Sequence, residues 1–202
     1  SALLAARRLA RQGALGEGPT ACAANAVAGL RPLVGAARGQ ARGLVDLYLP
    51  LLPSHPGEPL TLGHLGQSLD GYIATDRGES CFVTGPENIL HLHRLRALCD
   101  AVLVGAETVA TDDPRLTTRL VPGDSPVRVV LDPHRRLPAE RRVFQDGTSA
   151  TLLVCAEGQA GPGHQGQAEV LAVPATAGRL RLDALVEALH RRGLRRLFIE
   201  GG

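Results

Sequence analysis

Apolar positions change rhythm along this chain, and the changes mark its elements. Ala101 to Val104 is a short continuous apolar run, the pattern of a buried strand. Val127 to Leu131 and Thr151 to Ala156 repeat it, and Glu169 to Val173 follows after a Gly/Gln-rich loop. Leu194 to Glu200 makes the last such run, and Leu60 to Ser68 alternates more loosely as a further strand. Between strands the period lengthens. Ile89, Leu92, Leu95 and Cys99 recur at spacings of three and four, one stripe of a helix. Leu182, Leu185, Val186 and Leu189 do the same over 182–192, with Gly193 as the stop signal. Thr84, followed three residues on by Glu87, predicts a capping box where the first of these helices begins. Strands and helices alternate, so the expected fold is α/β, with a mostly parallel sheet flanked by helices.

Residues 1–59 have another texture. Ala2 to Arg11 has helical composition, ended by Gly13, Gly16, Gly18 and Pro19. Ala21 to Arg42 predicts a weak helix interrupted at Arg31-Pro32. Val45 to Leu52 is apolar, and Ser54 to Pro59 is a linker rich in breakers. The chain therefore divides into an N-terminal segment, 1–59, with no evident chemistry, and a domain over 60–202.

Composition narrows the function classes. At 202 residues and 44% apolar, the chain has enough material for an α/β core. No apolar run approaches a membrane span, so a soluble protein without a membrane partner is expected. A net charge of +2 and 2% aromatics do not suggest nucleic-acid binding. All 22 basic residues are arginine, which excludes Schiff-base lysine chemistry and a lysine-bearing phosphate loop. Any phosphate must be held by arginine, backbone amides or hydroxyls. Cys22, Cys81, Cys99 and Cys155 are scattered, with no C-x-x-C, which points to a reducing, cytoplasmic compartment rather than a disulfide or zinc framework. His91 and His93 sit two apart on different helix faces, read as solvated, and no metal is expected.

The candidate chemistry lies where strands end. Arg96 to Arg119 passes from a helix through the 101–104 strand to Gly105-Ala106, a short polar segment carrying Thr108, and a turn at Asp112-Asp113-Pro114. Three strand ends carry polar groups: Ser68 with Asp70 and Ser80; Thr108 with Asp112 and Arg119; Glu200 with Gly201 and Gly202. In a parallel sheet such ends converge on one edge, where ligands bind.

Four blocks stand in register: S-L-D-G-Y-I-A with G-E-S after it, H-R-L-R-A through D-A-V-L-V-G-A and D-D-P-R-L-T to Arg119, R-V-V-L-D, and the closing E-G-G. Together they resemble the reductase domain of the bacterial riboflavin-biosynthesis deaminase–reductase family, over about residues 60–202. The resemblance implies a fold similar to dihydrofolate reductase. It implies NADPH-dependent reduction of 5-amino-6-(5-phosphoribosylamino)uracil to the ribitylamino form, with hydride delivered to the anomeric carbon of the open-chain sugar. Ser80, Arg96, Leu116, Arg119 and Glu200 match substrate positions, the two arginines facing the phosphate. Gly66, Phe82, Thr108 and Asp112 match cofactor positions. Asp112 and Glu200 are the candidate catalytic carboxylates, and Gly201 and Gly202 begin a loop for the cofactor phosphates. A phosphorylated pyrimidine substrate and a homodimer are the implied partners.

Other roles stay open at several positions. Arg96 suits a helix C-terminus, Asp112 suits a turn and Ser80 a loop. Asp70 with Gly71 reads as a structural turn. Arg135 and Arg136 follow a strand end and suit either the cofactor 2′-phosphate or a solvated face. The deaminase signatures H-x-E and P-C-x-x-C are absent, and Tyr72 stands where the family often carries a basic residue. A non-catalytic relative that binds a nucleotide-like ligand and a dihydrofolate-type reductase are the rival readings. The chain stops at Gly202, where the resemblance implies a phosphate loop, a helix and further strands, so a C-terminally incomplete domain is expected.

Overall fold

The computed structural model describes residues 39–51, 58–75 and 85–201. The expected helix at 2–11 and the linker beginning at Ser54, together with Ser80, Phe82, Thr84 and Gly202, lie outside these residues or extend beyond them. Contacts divide the chain into two units, Ser1–Leu60 and Thr61–Gly202. In the first, helix α1 spans Gln40–Tyr48 and runs into a single 3-10 turn, Leu49–Leu51. The apolar stretch from Val45 is therefore the end of this helix, with Arg42 and Asp46 paired along it at 2.9 Å.

The second unit is built on a seven-stranded sheet. Its strands are β1 (Leu60–Gly63), β2 (Ala101–Gly105), β3 (Val127–Leu131), β4 (Thr151–Ala156), β5 (His164–Gln165), β6 (Ala168–Val173) and β9 (Arg196–Ile199). The order is β1-β9-β2-β3-β4-β6-β5. Parallel pairing joins β9 to β2, β2 to β3, β3 to β4 and β4 to β6, and β5 runs antiparallel to its neighbour β6. Leu103 registers with Val129 and with Ile199. Two-residue strands β7 (Ala175–Thr176) and β8 (Arg179–Leu180) form a separate hairpin. Among the described residues no helix is long and apolar enough to cross a membrane.

The central strands are continuous apolar runs because both faces are covered. On one face Ala101, Leu103, Val129, Leu152, Val154 and Leu197 pack with Leu185 and Leu189 of helix α5 (Leu182–Arg191). Val102, Val104, Val130, Leu153 and Phe198 alternate with them and are also buried. Asp100 fixes two strand starts: its Oδ2 accepts the amides of Arg195 at 3.2 Å and Arg196 at 2.9 Å.

Several local expectations change. Helix α2 spans Pro86–Leu98 with Gly85 as N-cap and no side-chain cap bond, so the expected Thr84 box does not define its start. Proline at the first helical position has no amide needing a cap. The predicted apolar stripe is also broken: Leu95 and Cys99 are buried, but Ile89 is exposed, and the helix buries His93 and Arg96 instead. β1 stops at Gly63, because the chain then turns through Ser68–Gly71, where the Gly71 amide bonds the Ser68 carbonyl at 2.9 Å. Asp70 sits in that turn and accepts a hydrogen bond from Ser68 Oγ, the structural role expected of it. The short polar segment that carries Thr108 is a short helix, α3, Ala106–Asp112. A further short helix, α4, spans Arg142–Gln145.

Candidate active site

The sheet order makes β1, β9 and β2 neighbours; β9 and β2 are parallel, so the segments after them meet, and the His64 amide just past β1 bonds Ile199 O at 3.1 Å. Ser68 and Asp70 follow β1, Thr108 follows β2, and Glu200 and Gly201 follow β9. The Glu200 amide bonds Leu103 O at 2.9 Å, which extends the β9–β2 register by one residue. Gly201 has φ 98, a left-handed conformation that favours glycine. A Cβ there would lie 2.7 Å from Thr108 Oγ1, so the end of β9 and α3 approach as closely as a side-chain-free residue allows.

Two side chains of α2 organise what faces this edge. His93 and Arg96 are three residues apart, hence on one helix face. The Arg96 guanidinium grips Glu200 with both forks, Nε to Oε1 at 2.7 Å and Nη2 to Oε2 at 2.5 Å. Their side chains are only 10% and 9% exposed. The third nitrogen, Nη1, donates to Thr117 O at 3.3 Å. Arg96 therefore joins the end of β9 to the loop after α3.

His93 holds the same loop one residue-pair further on. It is 2% exposed, not solvated as the sequence suggested, and its Nδ1 accepts the Arg119 amide at 3.0 Å. That bond requires an unprotonated Nδ1. Burial first, then the charges of Arg96 and Arg119, lowers the imidazole pKa to about 4. Sequence reading missed this residue; the H-x-x-R spacing, which puts it on the Arg96 face, was the signal available.

The loop itself is under constraint. Asp113 caps α3 at φ 41 and Leu116 follows at φ 55. A leucine in the left-handed region costs on the order of 1 kcal/mol or more. Its side chain is 2% exposed, and that burial offsets the backbone cost. Arg119 extends beyond, with Nη1 on Thr117 Oγ1 at 2.9 Å and Thr117 O at 3.5 Å. Asp112, exposed at the end of α3, is one helical turn from Thr108 and shares its face.

The structure thus brings together Arg96, Glu200, Thr108, Gly201 and the Leu116–Arg119 loop, with Asp112 at its rim. Gly66 lies half-buried in the segment after β1. Arg135 is taken up elsewhere: its guanidinium donates to Ala160 O, Pro162 O at 3.2 Å and Gln165 Oε1. It staples a loop to β5 and is not free for a phosphate, while Arg136 is exposed. Among the described residues no group of His, Cys, Asp and Glu is placed to hold a metal ion.

Comparison with known proteins gives a consistent family. The family profile described as RibD C-terminal domain matches residues 62–202. The chain is 40% identical over 149 residues to a 2,5-diamino-6-ribosylamino-4(3H)-pyrimidinone 5′-phosphate reductase of Methanothermobacter thermautotrophicus, covering 71% of this chain and 68% of that protein. It is 31% identical over 182 residues to the riboflavin biosynthesis protein RibD of Chlamydia muridarum, covering 87% of this chain but only 48% of that one. The solved deaminase/5-amino-6-(5-phosphoribosylamino)uracil reductase of Thermotoga maritima is similar at TM-score 0.61 and 28% identity, over 81% of this chain and 44% of that one. The chain therefore spans about half the length of the bifunctional proteins it matches. With the profile match over 62–202 and the parallel α/β sheet shared with the Thermotoga reductase, the chain belongs to the RibD C-terminal domain family.

Proposed function

We propose that the chain reduces a phosphoribosylaminopyrimidine of riboflavin biosynthesis to its ribitylamino form, with NADPH as reductant. The observation that carries this reading is the junction of the Arg96–Glu200 pair with the Thr108–Gly201 contact at one sheet edge. The activity for which the Methanothermobacter reductase is named supports the substrate class.

Residues at this junction suit the cofactor. Gly201 offers bare backbone beside the Thr108 hydroxyl, the kind of approach a pyrophosphate requires. Gly66, Phe82, Asp112 and Gly202 complete the cofactor positions that the family resemblance implies. When bound, NADPH supplies the hydride. The anomeric carbon of the open-chain sugar accepts it, and the nitrogen joined to that carbon takes a proton.

The chain's own residues orient and stabilise. Arg96 keeps both Glu200 oxygens fixed, and each retains acceptor capacity for a sugar hydroxyl. Glu200 therefore serves as a rigid acceptor beside the reacting carbon. Asp112, exposed one helical turn from Thr108, is the carboxylate that the family resemblance sets near the proton transfer. Ser80, Leu116 and Arg119 hold the substrate. The resemblance also supports a cytoplasmic protein and a homodimer; sedimentation of the protein tests the dimer.

The experiment is NADPH oxidation followed with the phosphorylated pyrimidine and, separately, with dihydrofolate. Turnover with the pyrimidine, inertness toward dihydrofolate and tighter binding of NADPH than NADH are expected. Turnover of dihydrofolate alone defeats the reading. Asp112→Asn is expected to fold normally and to lower turnover; an unchanged rate returns Asp112 to its turn role.

A further inference from the structure

A pair of histidines sits where the end of β1 meets α2. His64, one residue past β1, directs Nε2 at Asn88 Oδ1 of the helix, 2.9 Å away. An amide oxygen only accepts, so this bond places the proton of a neutral imidazole on Nε2. His91 follows Asn88 by three residues and shares its helix face. Its ring centroid lies 5.5 Å from that of His64, with the planes tilted by 53°. His91 is half-buried here, not the solvated residue that its spacing in the sequence suggested.

This contact ties the helix to the sheet edge at a second point. The His64 amide donates to Ile199 O, and the residue after Ile199 is Glu200, which Arg96 of the same helix grips. Helix α2 therefore holds the edge twice, through Glu200 near its carboxyl end and through His64 nearer its amino end. Two residues beyond His64 stands Gly66, one of the cofactor positions named above. Whatever frees the His64 ring from α2 loosens the start of that segment.

The charges around His91 oppose a proton on it. Among the described residues it faces His64 from the segment after β1 and Arg94 from its own helix. Glu87, four residues before it, is exposed in the first turn, where water screens a carboxylate and leaves it little to offset. Burial first, then His64 and then Arg94, lowers the His91 pKa from its ordinary 6.5. The closed contact accepts a neutral ring. Once the contact opens, the ring regains water and its ordinary proton affinity. The open form therefore binds the proton more tightly, so the contact is fully present above pH 6.5 and is lost progressively as pH falls below it.

We propose that His64, Asn88 and His91 form a latch that positions the end of β1 against β9, and that a proton on His91 releases it. His64 and His91 act here as positioning residues, through the backbone that leads to Gly66. The latch stands apart from the function proposed above; its effect on the cofactor rests on that reading.

Amide hydrogen exchange is followed by NMR in the wild type, His91→Phe and His91→Gln, with each rate referred to that of an unstructured peptide at the same pH. Between about pH 7.5 and about pH 5.5, protection of the wild-type His64 amide should fall at least about threefold, since one proton changes an opening equilibrium by at most about tenfold per pH unit. The Leu153 amide, in the buried centre of β4, should lose less. Both variants lack the titrating ring and should hold His64 protection level. Unchanged protection in the wild type, a loss that matches Leu153 step for step, or a loss that persists in both variants overturns the proposal. NADP+ is then titrated calorimetrically at the same two pH values. Its affinity should fall with His64 protection in the wild type and vary less in the variants. An affinity that ignores the release overturns the positioning role. No binding of NADP+ at either pH removes the function proposed above and leaves the latch standing on the exchange result.

Discussion

Arg96 and Arg119 read alike in sequence, two arginines flanking one strand, and the family resemblance implies the same phosphate for both. In the structure they are opposites. Arg96 is buried, gripped by Glu200 through both forks, and its charge is cancelled. Arg119 is exposed, its guanidinium hydrogen-bonds Thr117, and it stands in the field of Arg115. A paired buried arginine builds the site; an unpaired exposed one is available to a ligand. The difference follows from position: Arg96 lies on a helix packed against β9, whose end supplies the carboxylate, whereas the 115–119 loop meets no described acid of its own.

Breaking the pair should have the largest effect. Glu200→Gln leaves the nearly buried Arg96 charge without its counter-ion and should cost on the order of 3 kcal/mol in chemical denaturation. Replacing both partners with apolar residues of similar volume should recover much of that stability while leaving no activity. A Glu200→Gln protein as stable as the wild type contradicts the structural role of the pair.

Next comes Arg119→Ala, which sharpens the contrast. It should melt normally and raise the KM for the phosphorylated substrate by about 2 kcal/mol in binding terms, with the KM for NADPH little changed. Arg96→Ala should instead lose stability together with substrate binding. If the two variants behave the same way, the division between building and binding fails.

Gly201→Ala tests the opposite corner. A methyl there meets Thr108 Oγ1 at 2.7 Å and forces a left-handed alanine. We expect roughly 1–2 kcal/mol less cofactor affinity. Adding Thr108→Ala should relieve the clash but not the backbone strain, so only part of the loss should return.

The smallest effect expected is one of pH. His93 has a folded pKa of about 4, below its ordinary 6.5. Between these values the unfolded chain binds the proton and the folded one does not, so stability is full above 6.5 and falls as pH drops toward 4. About 1 kcal/mol should be lost over the first pH unit below 6.5. His93→Asn, which keeps an acceptor near the Nδ1 position, should flatten that slope in denaturation curves.

The strands were legible because burial on both faces leaves an unbroken apolar run. Val127–Leu131 and Thr151–Ala156 form as read, and α5 ends within one residue of its predicted stop. The 175–180 hairpin was not legible, since two-residue strands carry no period. Thr108 was read only as part of a short polar segment, because A-E-T-V-A-T-D is too short and β-branched to announce a helix. His93 and Arg128 were missed for another reason. Each is a buried polar residue, 2% and 1% exposed, and its partners come from distant sequence: Arg119 for His93, and Thr151, Asp146 and Ser149 for Arg128. A local pattern reports which face is apolar, not which polar groups will find partners inside.

The account stands most directly on where the reducing hydrogen goes. NADPH carrying deuterium at both C4 positions of the nicotinamide is incubated with the protein and the phosphoribosylaminopyrimidine, and the product is analysed by mass spectrometry. The account predicts a ribitylamino product heavier by one deuterium, located at the former anomeric carbon. An unlabelled product, a label elsewhere, or cofactor oxidation with no reduced pyrimidine would contradict it.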